Sequence, residues 1–136
     1  MADYKRVWET QDPAGFAALF APGGTYHNTP FQVQSTPLEL VTYWERIDLQ
    51  KDILLQYEVL SDTKNAGIAH WNVCYQVASE ELFKIWAKSA GTGLPDRRPG
   101  DPLPRMELDG MLTAKFDADG LASDVRIWWH SMAQAK

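Results

Sequence analysis

A chain of 136 residues with net charge −5 and one cysteine, Cys74, is long enough for a real hydrophobic core and forms no internal disulfide. Its basic residues are scattered apart from Arg97-Arg98, which argues against a nucleic-acid partner, and no apolar run approaches the ~20 residues of a membrane-spanning helix. The balance is that of a cytoplasmic, single-domain protein spanning 1–136, and its six tryptophans exceed what packing requires, which points to a pocket or an interface.

In chain order, Tyr4, Val7 and Trp8 share a helical face, and Asp12-Pro13 then supplies a cap and a proline at the first helical position. Phe16, Leu19 and Phe20 recur at helical spacing, so a second helix is expected to run until Pro22-Gly23-Gly24 stops it. The next stretch, Thr25 to Phe31, reads as a short strand of unusual polarity. Tyr26 and Asn28 point one way and His27 the other, because strand side chains alternate. Thr36, Pro37 and Glu39 form a capping box, opening a helix with Leu40, Tyr43, Trp44 and Ile47 on one face.

From residue 51 the period becomes strand-like. Residues 52–60 form one strand, and 68–77 alternate fully, with Ala69, Trp71, Val73, Tyr75 and Val77 on one face. His70, Asn72, Cys74 and Gln76 take the other. Strands at 106–116 and 123–132 follow, joined by Asp117-Ala118-Asp119-Gly120, a turn that places glycine at positive φ. Residues 79–105 form an insertion: an amphipathic helix through Leu82, Phe83 and Trp86, then a Pro/Gly-rich loop suited to a lid or an interface arm. Helices first and strands later define an α+β fold, with a curved, mostly antiparallel sheet wrapped around N-terminal helices. The hollow between such layers is where small molecules bind.

The helical start, "LFAPGGTYHNTPF", the capped helix with "YW", and "KFDADGL" leading to "VRIWWH" resemble the SnoaL-like group of the nuclear transport factor two-like superfamily. The resemblance implies a cone-shaped α+β barrel with its chemistry inside the cone, usually without a metal or organic cofactor. Relatives of this kind include ketosteroid isomerases, polyketide cyclases, scytalone dehydratase, limonene-type epoxide hydrolases, lignin-derived diarylpropane formaldehyde lyases and non-catalytic binders. Tyr26-x-Asn28-x-Pro30 resembles the tyrosine and asparagine with which the epoxide hydrolases hold a nucleophilic water. Their Arg-x-Asp falls on His70-x-Asn72 here, and their last aspartate on Ile127. Neither an asparagine nor an isoleucine serves as a general base, so epoxide hydrolysis by that route is disfavoured.

The candidate catalytic residues are therefore His70 as general acid or base, with Tyr26 and Asn28 holding the oxygen where charge develops. Asn72, Trp44, Tyr43, Tyr57, Trp129, Phe31 and Trp8 are the candidate substrate-binding residues, an aromatic wall against a hydrophobic ligand. The bland alternative for each is a packed core residue or a satisfied polar group. Asp109 is expected on the exterior, His27 outward, and Cys74 has no nearby cation to activate its thiol. His27, His70 and His130 lack metal-ligand spacing, and no phosphate loop is present, so no metal or cofactor is expected. The expected function is a lyase, dehydratase or isomerase step on an oxygenated aromatic molecule, lignin-derived diaryl or polyketide-like. The alternative is a binding or assembly protein of the same fold. In "RIWWH", Arg126, Trp128 and His130 share a face suited to a partner subunit, so a homodimer or homotrimer is expected.

Overall fold

The computed structural model describes residues 1–88, 92–93 and 97–134. Two short helices, α1 (Ala2–Glu9) and α2 (Pro13–Ala17), precede strands β1 (Phe20–Thr29) and β2 (Gln32–Gln34). Helix α3 (Pro37–Trp44) follows and runs into a tight turn of 3-10 helix, Glu45–Leu49. The long strands β3 (Gln50–Asp62) and β4 (Ala66–Val77), helix α4 (Glu80–Ala87), the short β5 (Thr92–Gly93), and strands β6 (Arg105–Phe116) and β7 (Ala122–Ala133) complete the chain. The strands form one sheet in the order β2-β1-β7-β6-β4-β3, with β5 also on β7. All the pairings are antiparallel except those of β1 and β5 with β7.

Local chemistry explains most of the boundaries. The Asp12 carboxylate accepts from Gly15 N at 2.9 Å, and Thr36 Oγ1 accepts from Glu39 N at 3.1 Å, so both expected caps form. Gly120 adopts φ 78° in the β6–β7 turn. The expectation for Pro22-Gly23-Gly24 needs correction. Helix α2 ends at Ala17, and these residues lie inside β1, where the register against β7 shifts between Phe20 and Thr25. Gly24 is required there, because a Cβ would collide with the carbonyl oxygens of Ala122 and Ala21. The segment is a bulge in a strand rather than a helix stop.

The sheet curls over α1, α2 and α3 and buries its concave face against them. Trp71, Val73, Tyr75 and Val77 of β4 are buried, as are Leu108 and Met106 of β6 and Ile127 of β7. Aromatic rings fill the middle. Trp8 stands 5.5 Å from Trp44 and 5.6 Å from Trp71 between ring centroids, and Phe16 only 3.9 Å from Trp44. Gly110 lets this layer close, since a Cβ there would strike the Trp128 carbonyl oxygen and the Trp71 ring. Helix α4 covers the far end, with Leu82 buried and Arg97 stacked 5.0 Å over Phe83. The expected helix through Trp86 forms, but that side chain and residues 89–91 and 94–96 lie outside the described residues.

Candidate active site

A cavity opens at one end of the cone, and the sequence of the inner strand faces shows why. Along β4 the inward residues run Ala69, Trp71, Val73, Tyr75; along β6, read towards the same end, they run Ala114, Leu112, Gly110, Leu108, Met106. Tryptophan and tyrosine fill the middle, whereas Ala69, Ala114 and Ala122 leave room. The result is a cavity of about 230 Å³ near the β3–β4 and β6–β7 turns. Phe16, Leu19 and Phe20 form one wall, and Ala69, Leu112, Ala114, Ala122 and Val125 form the other. Met1, Asp3, Val59, Asp62 and Phe116 edge it.

Two phenols bring hydroxyl groups to this cavity. Tyr4 reaches in from α1 and Tyr26 from β1, and their hydroxyls are 3.0 Å apart. Tyr26 is only 1% exposed and Tyr4 7%. Burial raises both pKa values well above the ordinary phenol value, with Coulombic repulsion from Tyr4 and Tyr43 adding to the effect at Tyr26. Both hydroxyls are therefore neutral and protonated at physiological pH. Two hydroxyls share one hydrogen bond, which leaves one proton free to bond a guest oxygen.

Beside the cavity, a polar network braces β1. Asn28 donates to Gln32 Oε1 at 2.8 Å, accepts from Gln34 Nε2 at 3.3 Å, and lies beside the Tyr43 hydroxyl. Trp129 Nε1 donates to the Asn28 carbonyl oxygen at 2.8 Å. Burial pushes the Tyr43 hydroxyl up to about 12, against opposing effects of the Arg46 charge and the Asn28 side chain.

Of the residues expected to serve the site, Tyr26 lines this cavity. Asn28 is buried, but its side-chain bonds are all to neighbours in the network. Trp8 and Trp44 are core, each with its indole N–H bonded within the protein, to Gln50 Oε1 and the Val7 carbonyl. Tyr43 and Trp129 belong to the bracing network, and Tyr57 is a partly exposed residue of the edge strand β3. Phe31 is 95% exposed in the β1–β2 turn, which removes it from any binding wall.

The largest correction concerns His70. Its strand turns the Trp71 face inward, so His70 and Asn72 lie on the outer, convex face. His70 Nε2 is 2.9 Å from Asp109 Oδ1, with side chains 42% and 58% exposed, and Asn72 donates to Glu107 and Asp109. The physical reason is burial: the face with the larger apolar area must meet the helices. Asp109 is thus on the exterior, and His27 also faces outward, 3.2 Å from Asp124. Burial and the Glu107 charge raise the Cys74 thiol pKa, so it is a poor nucleophile.

Sequence reasoning placed Tyr4 on a helix face but missed its role. Its partner lies 22 positions away, and only the fold brings the two hydroxyls together. The inward alanines at 69 and 114, small residues at one end of large-residue faces, were the available signal. Among the described residues no cluster of three or more His, Cys, Asp or Glu side chains is arranged to hold a metal ion, and no helix is long and apolar enough to cross a membrane.

An incomplete curved sheet wrapped over N-terminal helices, with a hollow on its concave side, is a fold shared with solved NTF2-like and ketosteroid isomerase-like structures. No family model and no curated protein matches the sequence. Solved structures do match along nearly the whole chain. One is the epoxide hydrolase/cyclase-like enzyme SalBIII, described for pyran ring formation in the polyether salinomycin: TM-score 0.71, 10% identity, covering 98% of this chain and 92% of that one. A second is an NTF2-like protein of unknown function from Exiguobacterium, with TM-score 0.63, 18% identity, and coverage of 94% and 95%. A computationally designed 17-OHP binder matches with TM-score 0.67, 13% identity, and coverage of 98% and 94%.

Proposed function

We propose that this protein takes a compact, largely apolar molecule with a carbonyl, ether or hydroxyl oxygen into the cone and promotes a cofactor-independent isomerisation, cyclisation or elimination on it. The observation that carries this reading is the Tyr4–Tyr26 hydroxyl pair, buried in an apolar cavity and kept neutral by burial. A preorganised donor in a water-poor site stabilises negative charge as it develops on a substrate oxygen, and does so far more strongly than in water. The carboxylates that line the cavity, Asp3 and Asp62, sit at its edge, away from that pair's burial. Reactions in which the substrate supplies its own nucleophile suit such a site, as does loss of a proton to the Asp3 or Asp62 carboxylate at the mouth. Likeness to an epoxide hydrolase/cyclase-like enzyme supports ring closure within that range.

The cavity size supports one ring or a fused pair over an extended diaryl molecule. At about 230 Å³ it exceeds the ~150 Å³ that holds a benzene ring in an engineered core. A second reading, binding without chemistry, is favoured by a specific feature: no imidazole lines the cavity among the described residues. A designed binder shares the fold.

The test is to offer epoxy-alcohols, hydroxy-ketones and cyclic enones and follow consumption by NMR, comparing wild type with Tyr26→Phe. Turnover that falls by about 100-fold in the variant supports the donor role. Unchanged turnover would remove the phenol pair from the chemistry. Saturable binding without any turnover across the panel would favour the binder.

A further inference from the structure

We infer that Phe16 and Ala114 are the specificity-determining residues of this cavity, setting the length and width of the ligand it accepts. The inference rests on the proposed reading of the cavity as the site and goes on to the class of molecule it selects. Phe16 lines the cavity, is fully buried, and stacks on Phe20 at 5.1 Å with the rings only 17° apart. Its other side meets the aromatic fill of the cone, 3.9 Å from Trp44, and its edge meets Tyr26 at 5.0 Å. The ring therefore stands as a partition between the open end and the filled middle. It touches the tyrosine that would hold the guest oxygen, so a guest bonded there lies against the Phe16 ring.

Ala114 faces the same space from the sheet. It is buried, pairs with Val125 across β6–β7 and with Gly67 across β4–β6, and offers only a methyl group between Leu112 and Phe116 of its own strand. One methylene more or less in an apolar pocket shifts discrimination by about tenfold or more, because the walls are packed and yield little. A partition on one side and a wall centred on the Ala114 methyl on the other select a rigid molecule of one or two fused rings with its oxygen at one end. A guest with two rings linked end to end requires the partition to move.

Three ketones of increasing length test this: cyclohexanone, 2-decalone and 4-phenylcyclohexanone, titrated into the full chain and followed by methyl NMR. Wild type should bind 2-decalone best and 4-phenylcyclohexanone at least about tenfold more weakly. Phe16→Leu should reverse that order, and Ala114→Val should lose about tenfold for 2-decalone while cyclohexanone changes little. Ala114→Val keeps the test decisive if Phe16→Leu fails to fold. Tyr26→Phe should weaken all three alike, because it removes a donor and leaves the walls intact. A variant set that weakens binding without changing the order overturns the size assignment and leaves the site standing. An absence of saturable binding by all three ketones overturns both.

Discussion

The two faces of the same strands do opposite work. On the concave side of β4 and β6, large apolar and aromatic residues pack against helices, and the hollow described above is largely apolar with a pair of neutral phenols. On the convex side, His70, Asn72, Glu107 and Asp109 form a connected polar cluster, with the apolar Trp128 and Met132 exposed nearby on β7. A residue-type inventory finds its acids, bases and amides on the convex side, yet the cavity lies on the other. The chemistry available inside is hydrogen-bond donation to oxygen rather than proton transfer by an imidazole.

Substitution on the two faces should separate them most clearly in stability. Trp71→Ala removes a fully buried ring that packs on Trp8 and sits against Gly110. It should cost about 3–5 kcal/mol, read by urea denaturation, because the void cannot collapse around a sheet already in close register. A loss below about 1 kcal/mol would mean that the concave face is loosely packed.

Tyr26→Phe comes next. It strands the buried Tyr4 hydroxyl, which should cost about 1–2 kcal/mol. The double variant with Tyr4→Phe should cost less than the two singles added together, because both singles remove the same bond. Additive losses would show that the two hydroxyls do not depend on one another.

The third phenol offers a smaller effect, seen only in alkali. Tyr43 is held at about 12 in the folded chain against an ordinary value of 10.0, burial being the main cause. Above the ordinary value the unfolded chain releases a proton that the folded chain retains, so stability falls as pH rises. The contribution is complete below pH 10.0 and is lost as pH climbs through about 12. Wild type should therefore lose stability more steeply over that window than Tyr43→Phe does, as measured by urea midpoints.

Much of this frame was legible from the residues. Period-two alternation marked β4 to within two positions, and the caps at Asp12 and Thr36 announced α2 and α3. The strand parity was also right: Tyr26 and Asn28 do share a face, with His27 opposite. What failed was the step from parity to direction. Polar residues on β4 were assigned to the cavity because a site needs chemistry. The strand's orientation is set by apolar area, and Trp71, Val73, Tyr75 and Val77 outweigh any pull from His70. Glycines 23 and 24 misled for a different reason. A bulge and a helix stop use the same residue types, and only the β7 partner distinguishes them. The Tyr4–Tyr26 pair was beyond reach, since no local pattern encodes a contact between a helix and a strand so far apart in sequence.

The smallest predicted effect is also the one that bears most directly on the comparison. His70→Ala removes one partner of an exposed imidazole–carboxylate pair. Exposed pairs contribute about 0–1 kcal/mol, because both groups remain hydrated and long-range attraction is screened. The variant should unfold within about 1 kcal/mol of wild type and bind 2-decalone with unchanged affinity. A variant that folds normally but loses ligand affinity would connect the two faces through the sheet. The carrier would have to be a shift of β4 itself, since Trp71 on the inner side and His70 on the outer are consecutive residues of one strand. Unchanged binding would leave the phenol pair as the polar centre of the site and the histidine as a surface group.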